Sequence, residues 1–259
     1  MRLLDRRLTV LLGWLSLLAL AVLTFLALFA TEPDEVQSDA VRLLYLHVPA
    51  AWLAYLAYAV TSIASALYLW PRTRSQVWDL LAGASAEIGV IFTAFTLVVG
   101  SIWGRPVWGV WWVWDARLVT TAVLLFLYLG YLALRGIPAA PEVRAKRSAI
   151  VGLVAFVDVP VVHFSVTWWR TLHQEATVFN EEMKAQIHGL MAFTLVWGVV
   201  AFTLVYVYLL AIRYRLGALE EQMEERELQD ALAQRIGTGA PAARTPVQTL
   251  VAGNLNEVP

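Results

Sequence analysis

The sequence predicts an all-α, polytopic membrane protein with six transmembrane helices and both termini in the cytoplasm. Composition is the first reason, because 59% of the 259 residues are hydrophobic and only 15% are charged, whereas soluble domains carry about 25% charged residues. The second reason is a series of long apolar stretches, and the third is the uneven distribution of Lys and Arg between the loops. This composition excludes a water-soluble globular enzyme, and the net charge of -1 gives no indication of nucleic-acid binding.

Six stretches reach or approach the roughly 20 apolar residues that a helix needs to cross a membrane. They are Leu8–Ala30, Leu43–Trp70, Leu80–Ile102, Leu118–Leu134, Ser148–Val166 and Ile187–Ile212. The first follows arginines, as a signal peptide would, but its apolar run is longer than the usual stretch of about 7–15 residues and no A-x-A cleavage pattern follows. We therefore expect it to stay as the first helix.

Basic residues near the spans predict the orientation, because cytoplasmic loops collect Lys and Arg. One side holds Arg2, Arg6, Arg7, Arg72, Arg74, Arg135, Arg144, Lys146, Arg147, Arg213 and Arg215. The other side holds Arg42, Arg105, Arg117, Arg170 and Lys184. The larger group predicts cytoplasmic termini, which places segments Thr31–Arg42, Trp103–Arg117 and Thr167–Lys184 on the outer face.

Beyond the last span the chain becomes polar. Residues 213–236 carry apolar residues at near-helical spacing between Glu-rich faces, which predicts a cytoplasmic amphipathic helix. Residues 237–259 are rich in Gly, Pro, Ala and Thr and are predicted to be disordered. The expected organisation is a membrane domain over residues 1–212, followed by these two segments.

The most informative segment is WGRPVWGVWWVWDARL, residues 103–118. Five of its first twelve residues are Trp, although the whole chain has only 12. They are Trp103, Trp108, Trp111, Trp112 and Trp114. If the segment is helical, Trp108, Trp111 and Trp112 share one face and form a ledge suited to a large, planar, apolar ligand. The alternative is an ordinary aromatic belt at the membrane interface, which would account for one or two tryptophans.

Asp115 and Arg117 follow the tryptophans directly. They could pair with each other or fix the turn into the fourth span. Alternatively, Arg117 could bind an anionic group of a ligand, while Asp115 orients indole N–H groups or a neighbouring cation. The sequence leaves these alternatives open.

Histidines at the outer ends of the spans are candidate metal ligands. His47, in YLHVPAAW, begins the second span, and His173, in WWRTLHQ, lies in the third outer segment. Neutral imidazole is the commonest metal ligand, and haem is a planar cofactor whose iron accepts axial His and whose acid groups need cations. Zinc fits less well because the chain has no Cys. His163, near the outer end of the fifth span, competes with His173, and His188 ranks last.

Together these motifs resemble the tryptophan-rich WWD signature of haem-handling proteins in cytochrome c maturation, and the chain resembles the CcmC family within that group. The resemblance covers Val41 to Gln174 in its motifs and continues through Ile212 in topology. It implies that His47 and His173 are the axial ligands of haem iron and that the Trp motif forms a platform. It also implies that haem b is passed to a CcmE-like chaperone, within a complex that contains a CcmA-like ATPase and CcmB-like and CcmD-like subunits in the bacterial inner membrane.

The resemblance implies a haem-handling component rather than an enzyme. The chain contains no G-x-x-x-x-G-K-[ST] sequence, so any ATPase must be a partner. Two other functions stay open: a haem permease subunit, and a b-type electron carrier with bis-His haem. For Glu87 and Asp158, the ionisable residues within spans, we expect structural roles. Asp158 and Pro160 are expected to bend the fifth helix, and Asp158 to form a hydrogen bond with a neighbour.

Overall fold

The computed structural model describes the backbone of residues 6–173 and 187–239, and the side chains of residues 7–173 and 187–235. Within these ranges the chain is helical, with no strand. The helices are α1 (Arg6–Phe25), α2 (Leu44–Leu69), α3 (Gln76–Trp108), α4 (Ala116–Gly136), α5 (Pro141–Phe156), α6 (Asp158–Trp168) and α7 (Gly189–Gly239). A π-helical turn, Leu26–Ala30, extends α1, and a 3-10 turn, Asp39–Leu43, leads into α2. The all-α prediction is confirmed.

Six helical segments are long and apolar enough to cross a membrane, as the sequence predicts. They are Arg7–Ala30, Asp39–Leu69, Gln76–Trp108, Ala116–Gly136, Pro141–Trp168 and Gly189–Arg235. The structure lengthens several of the predicted stretches because the helices continue through polar residues at their ends. Lys184 and Gln174, which the sequence analysis placed in the third outer segment, lie outside the described residues.

The fifth span consists of two helices, α5 and α6, which meet at Val157. Pro160 lies in the first turn of α6, where it has no N–H to continue the helical hydrogen bonds of α5. The fifth span is therefore interrupted close to the place of the predicted bend. The expected hydrogen bond from Asp158 is not found, since its buried Oδ2 has no partner among the described residues.

Helix α2 packs against both α3 and α5 and carries much of the core. Close approach depends on small residues, as is common between membrane helices. A Cβ at Gly89 of α3 would lie 2.5 Å from the ring of Tyr58, so Gly89 lets this ring fit between the helices. The Tyr58 ring stacks on Tyr128 of α4 at a centroid distance of 3.7 Å, and its hydroxyl lies 2.8 Å from that of Thr93. These contacts fix α2, α3 and α4 relative to one another.

Ion pairs join the helices in the half of α3 that is distant from the Trp motif. Asp79 of α3 is buried, and its Oδ2 accepts a hydrogen bond from Arg135 of α4 at 3.0 Å. Glu87 of α3 pairs with Arg213 of α7. The structural role expected for Glu87 is thus observed.

The chain forms two compact units, Met1–Gly217 and Ala218–Pro259. The first contains the six candidate spans as far as Gly217. In the second, the described residues are helical up to Gly239, and residues 213–236, predicted as helical, lie within α7. The tail predicted to be disordered lies outside the described residues beyond Gly239, and the predicted boundary at residue 212 stays a prediction.

Candidate functional site

A cavity of about 660 Å³ lies among α2, α3, α4, α6 and the beginning of α7. Small-molecule and cofactor sites usually have volumes of about 300–1,000 Å³. Its wall is largely apolar, and it includes three of the chain's four histidines: His47, His163 and His173. Arg117 lines the same cavity. The helices thus bring together the predicted metal ligands and the predicted anion-binding residue.

His47 lies in the first turn of α2. A Cβ at Gly100 of α3 would lie 2.8 Å from Cε1 of His47, so the imidazole fits against α3 only because this position is glycine. The ring also contacts the indole of Trp103 edge to face, at a centroid distance of 5.7 Å. Nδ1 of His47 is buried and has no hydrogen-bond partner among the described residues.

His173 is oriented by Asp115. Oδ2 of Asp115 lies 3.3 Å from Nδ1 of His173 and accepts the backbone N–H of Leu172 at 3.2 Å. A carboxylate on one imidazole nitrogen fixes the ring and leaves the other nitrogen, Nε2, for a metal. Burial lowers the pKa of His173, although Asp115 opposes this effect, and a lowered pKa favours the neutral imidazole that metal binding requires. Trp108 packs against this ring at 4.8 Å.

The same carboxylate begins α4. Oδ1 of Asp115 accepts the backbone N–H of Leu118 at 2.9 Å and caps the helix. Asp115 therefore fixes the turn into α4, which is one of the alternatives that the sequence left open. It also orients the ring of His173. It forms no ion pair with Arg117 among the described residues, and the indole of Trp103 is held by Gln37 instead, at 2.9 Å.

Arg117 faces the cavity without a carboxylate partner among the described side chains. Its guanidinium donates to the hydroxyl of Tyr55 at 3.5 Å and to the carbonyl of His163 at 3.3 Å. Its Nε is buried and has no partner in the described part of the chain. A partly buried cation that faces an apolar cavity is suited to an anionic group of a ligand.

The Trp segment is not one helix, which corrects the expectation of a shared helical face. Helix α3 ends at Trp108, and Gly109 adopts a left-handed conformation with φ 78°. Residues 109–115 are non-helical, so the helical ledge of Trp108, Trp111 and Trp112 does not form. Positive φ is easily reached only by glycine, which explains why the helix ends here.

The chain brings three of the five tryptophans to the cavity despite this break. Trp103, Trp108 and Trp111 line it. Trp112 and Trp114 do not line the cavity, and they contact each other edge to face at 5.7 Å. Their predicted part in ligand binding stays a prediction.

The two histidines that ranked below His47 and His173 differ in position. His163, on α6, lines the cavity, whereas His188 does not. Among the described residues, no carboxylate contacts the His163 ring, which lies against Tyr55 and Phe164. The preference for His173 as second ligand stays a prediction, supported by the contact with Asp115.

Two glycines of the site were not singled out from the sequence. Gly100 makes room for His47, and Gly104 makes room for Trp108, whose Cε3 would lie 3.0 Å from an added Cβ. Both line the cavity. Their spacing of four residues places them on one face of α3, and such small-residue spacing in an apolar helix was the signal that could have revealed them.

Comparison with known proteins shows extensive similarity. The chain matches the family described as CcmC, Heme exporter protein C, over residues 1–229. It is 37% identical to Heme exporter protein C of Haemophilus influenzae over 231 residues, which cover 89% of this chain and 92% of the relative. It is 38% identical to Heme exporter protein C of Escherichia coli over 78% of this chain and 81% of the relative. A putative cytochrome c biosynthesis ccmC-like mitochondrial protein of Arabidopsis thaliana is 34% identical over 83% of this chain and 82% of the relative.

Proposed function

This chain belongs to the CcmC, or heme exporter protein C, family, and on that basis we propose that it binds haem and presents it for transfer in c-type cytochrome biogenesis. Membership of the family supports a multi-pass membrane protein that handles haem. The finer proposal is that the cavity among α2, α3, α4, α6 and α7 holds the haem. One observation carries it: His47 and His173 line the same cavity as Arg117 and three tryptophans.

We propose His47 and His173 as the axial ligands of the haem iron. Each ring is partly buried beside an indole. The carboxylate of Asp115 on Nδ1 of His173 leaves Nε2 of that ring for the iron. Asp115 acts on His173 as an outer-shell partner acts on a metal-binding histidine, by fixing the ring and raising its basicity.

The other predicted site residues take complementary roles in this proposal. Arg117 pairs with a propionate, since its guanidinium has no carboxylate partner in the described structure. Trp103, Trp108 and Trp111 contact the porphyrin plane, while Trp112 and Trp114 extend the aromatic surface beside the cavity. Haem b fits this set because its non-covalent attachment needs no Cys, and the chain has none.

Transfer requires ligands that can exchange. His47 lies at the first turn of a long helix, whereas His173 follows the end of α6 at Trp168. We propose that His173 gives way when a CcmE-like chaperone accepts the haem at the periplasmic face of the bacterial inner membrane, with both termini of this chain in the cytoplasm. The proposed partners include a CcmA-like ATPase, which supplies the hydrolysis, and CcmB-like and CcmD-like membrane subunits.

An absorption spectrum tests the iron ligands. The detergent-purified chain is expected to show six-coordinate, low-spin haem, and His47→Ala and His173→Ala are each expected to lose haem or become high-spin. His163→Ala and His188→Ala serve as controls that keep the low-spin spectrum. If all four variants and the wild type bind haem alike, or none binds it, the cavity serves another ligand. If His47→Ala and His163→Ala lose the low-spin form while His173→Ala keeps it, the second ligand is His163.

A further inference from the structure

One side of the cavity wall is exposed at the depth of the membrane spans. Trp52 of α2 and Val196 of α7 both line the cavity, yet their exposures are 40% and 57%. Lining residues that are also exposed indicate a thin part of the cavity wall, and we refer to this part of the wall as the opening. Trp111 and Leu172, which also line the cavity and are exposed, lie beyond the ends of α3 and α6 instead.

The opening lies well within two candidate spans. Trp52 is eight residues into α2 and Val196 is seven residues into α7, which at 1.5 Å per residue corresponds to about 12 Å and 10 Å below the helix starts. The hydrocarbon core is about 30 Å thick. Exposed neighbours on α7, Phe193 and Val200, are apolar, as expected for a surface that faces lipid.

Among the described residues, one side-chain hydrogen bond links α2 to α7 at this opening. Nε1 of Trp52 donates to Oγ1 of Thr203 at 3.1 Å. Close by, the two helices are packed rigidly, because a Cβ at Gly198 would lie 2.8 Å from Cγ of Pro49. The helices are thus fixed to each other at Gly198, while the indole of Trp52 is held at the opening by one bond that its rotation would break.

We infer that the opening bounded by Trp52 and Val196 is a lateral portal through which haem passes between the lipid and the cavity. This inference rests on the proposed haem-binding function. An amphiphilic, planar ligand that dissolves in the bilayer reaches the portal without crossing water, and it meets Val48 and Tyr55 of α2 as well as Arg117 inside the cavity. Rotation of Trp52 opens the path, and its bond to Thr203 holds the path closed.

The test compares two tryptophan substitutions on α7 in the full-length chain. Val196→Trp fills the portal, whereas Val200→Trp places the same side chain one turn away, at a residue that is 45% exposed and does not line the cavity. Haem-free protein in proteoliposomes is mixed with haem-loaded vesicles of the same lipid, and the low-spin haem band is followed with time. We expect loading at least ten times slower for Val196→Trp and unchanged loading for Val200→Trp.

Equilibrium haem titration of the same samples separates the two proposals. Val200→Trp is expected to reach the wild-type dissociation constant, whereas for Val196→Trp, which lines the cavity, the loading rate is expected to fall by a larger factor than the affinity. Equal loading rates for the two variants overturn the portal. If Val196→Trp loses affinity and loading rate by the same factor, the added ring only fills the binding site, and the portal is overturned as well. Absence of haem binding in the wild type overturns the proposed function and the portal together.

A second pair of variants tests the role of Trp52. Trp52→Phe and Thr203→Val each remove the hydrogen bond that holds the indole, and both are expected to load haem several times faster than wild type. Unchanged or slower loading in both variants means that Trp52 does not close the path.

Discussion

Asp115 joins two parts of the site through its two carboxylate oxygens: Oδ2 lies 3.3 Å from Nδ1 of His173, and Oδ1 accepts the N–H of Leu118 at 2.9 Å. One side chain therefore begins α4 and orients a proposed haem ligand on a segment that is distant in sequence. Because these two functions use different oxygens, substitutions can separate them.

Asp115→Asn is expected to weaken haem binding by about 10–100-fold, the usual effect of losing an outer-shell carboxylate. Asparagine caps helices about as well as aspartate, so the start of α4 and the thermal stability are expected to be preserved. Haem titration followed by absorbance measures the affinity, and a thermal melt measures the stability.

Asp115→Ala provides the comparison. It removes the cap as well as the carboxylate, and a lost cap typically costs about 1 kcal/mol of stability. We expect both the affinity and the melting temperature to fall. An Asn variant that binds haem as tightly as wild type would show that the Asp115–His173 contact has no part in haem binding.

Gly100→Ala is expected to displace His47. The new Cβ would lie 2.8 Å from Cε1 of the imidazole, closer than real Cβ contacts allow, so the ring must move away from α3. We expect a large share of the bound haem to become high-spin because one axial ligand is misplaced. Gly130→Ala in α4 is the matched control, since nothing lies within 4 Å of its added Cβ, and its spectrum should not change.

The six spans were predictable because a membrane helix must be apolar along nearly its whole length, a requirement that any window of about 20 residues reveals. The break between α5 and α6 also had a local cause in Pro160, whose ring removes a backbone donor. Both features depend on residues that are close in sequence.

The internal geometry of the site was not predictable in the same way. The contact between Asp115 and His173 joins residues 58 positions apart, and no local pattern indicates it. The helical ledge of tryptophans was wrong because Gly109 ends α3 with a positive φ, and the sequence does not show whether a glycine uses that freedom. Gly100 matters through a neighbour on another helix, which only the packing reveals.

Arg117→Gln is expected to weaken haem binding by about 10–100-fold, because a hydrogen bond to a charged group contributes about 1.5–3 kcal/mol. The substitution removes the guanidinium that is proposed to pair with a propionate of the haem. Haem dimethyl ester tests this assignment directly, since its acid groups are blocked. Wild type should bind the ester more weakly than haem, whereas Arg117→Gln should bind the two alike. If both proteins prefer haem to the ester by the same factor, Arg117 does not bind the propionates.

Asp79→Asn is expected to lower stability without changing the haem spectrum of the folded protein. Asp79 is buried and pairs with Arg135, while Arg144 lies 3.9 Å away. Removing one partner of a buried ion pair typically costs about 3–5 kcal/mol, since it leaves an uncompensated charge.

Asp39→Asn is the matched control for this variant, because Asp39 is exposed and pairs with Arg42 at 2.8 Å. Exposed pairs contribute at most about 1 kcal/mol, so its thermal melt in detergent should stay close to that of wild type. Since neither Asp79 nor Arg135 lines the cavity, the low-spin band of Asp79→Asn should be unchanged below its melting temperature. A shift of that band in the folded variant would mean that this end of the bundle is coupled to the haem ligands, and that α3 transmits changes at Asp79 to the cavity wall at Gly100 and Gly104.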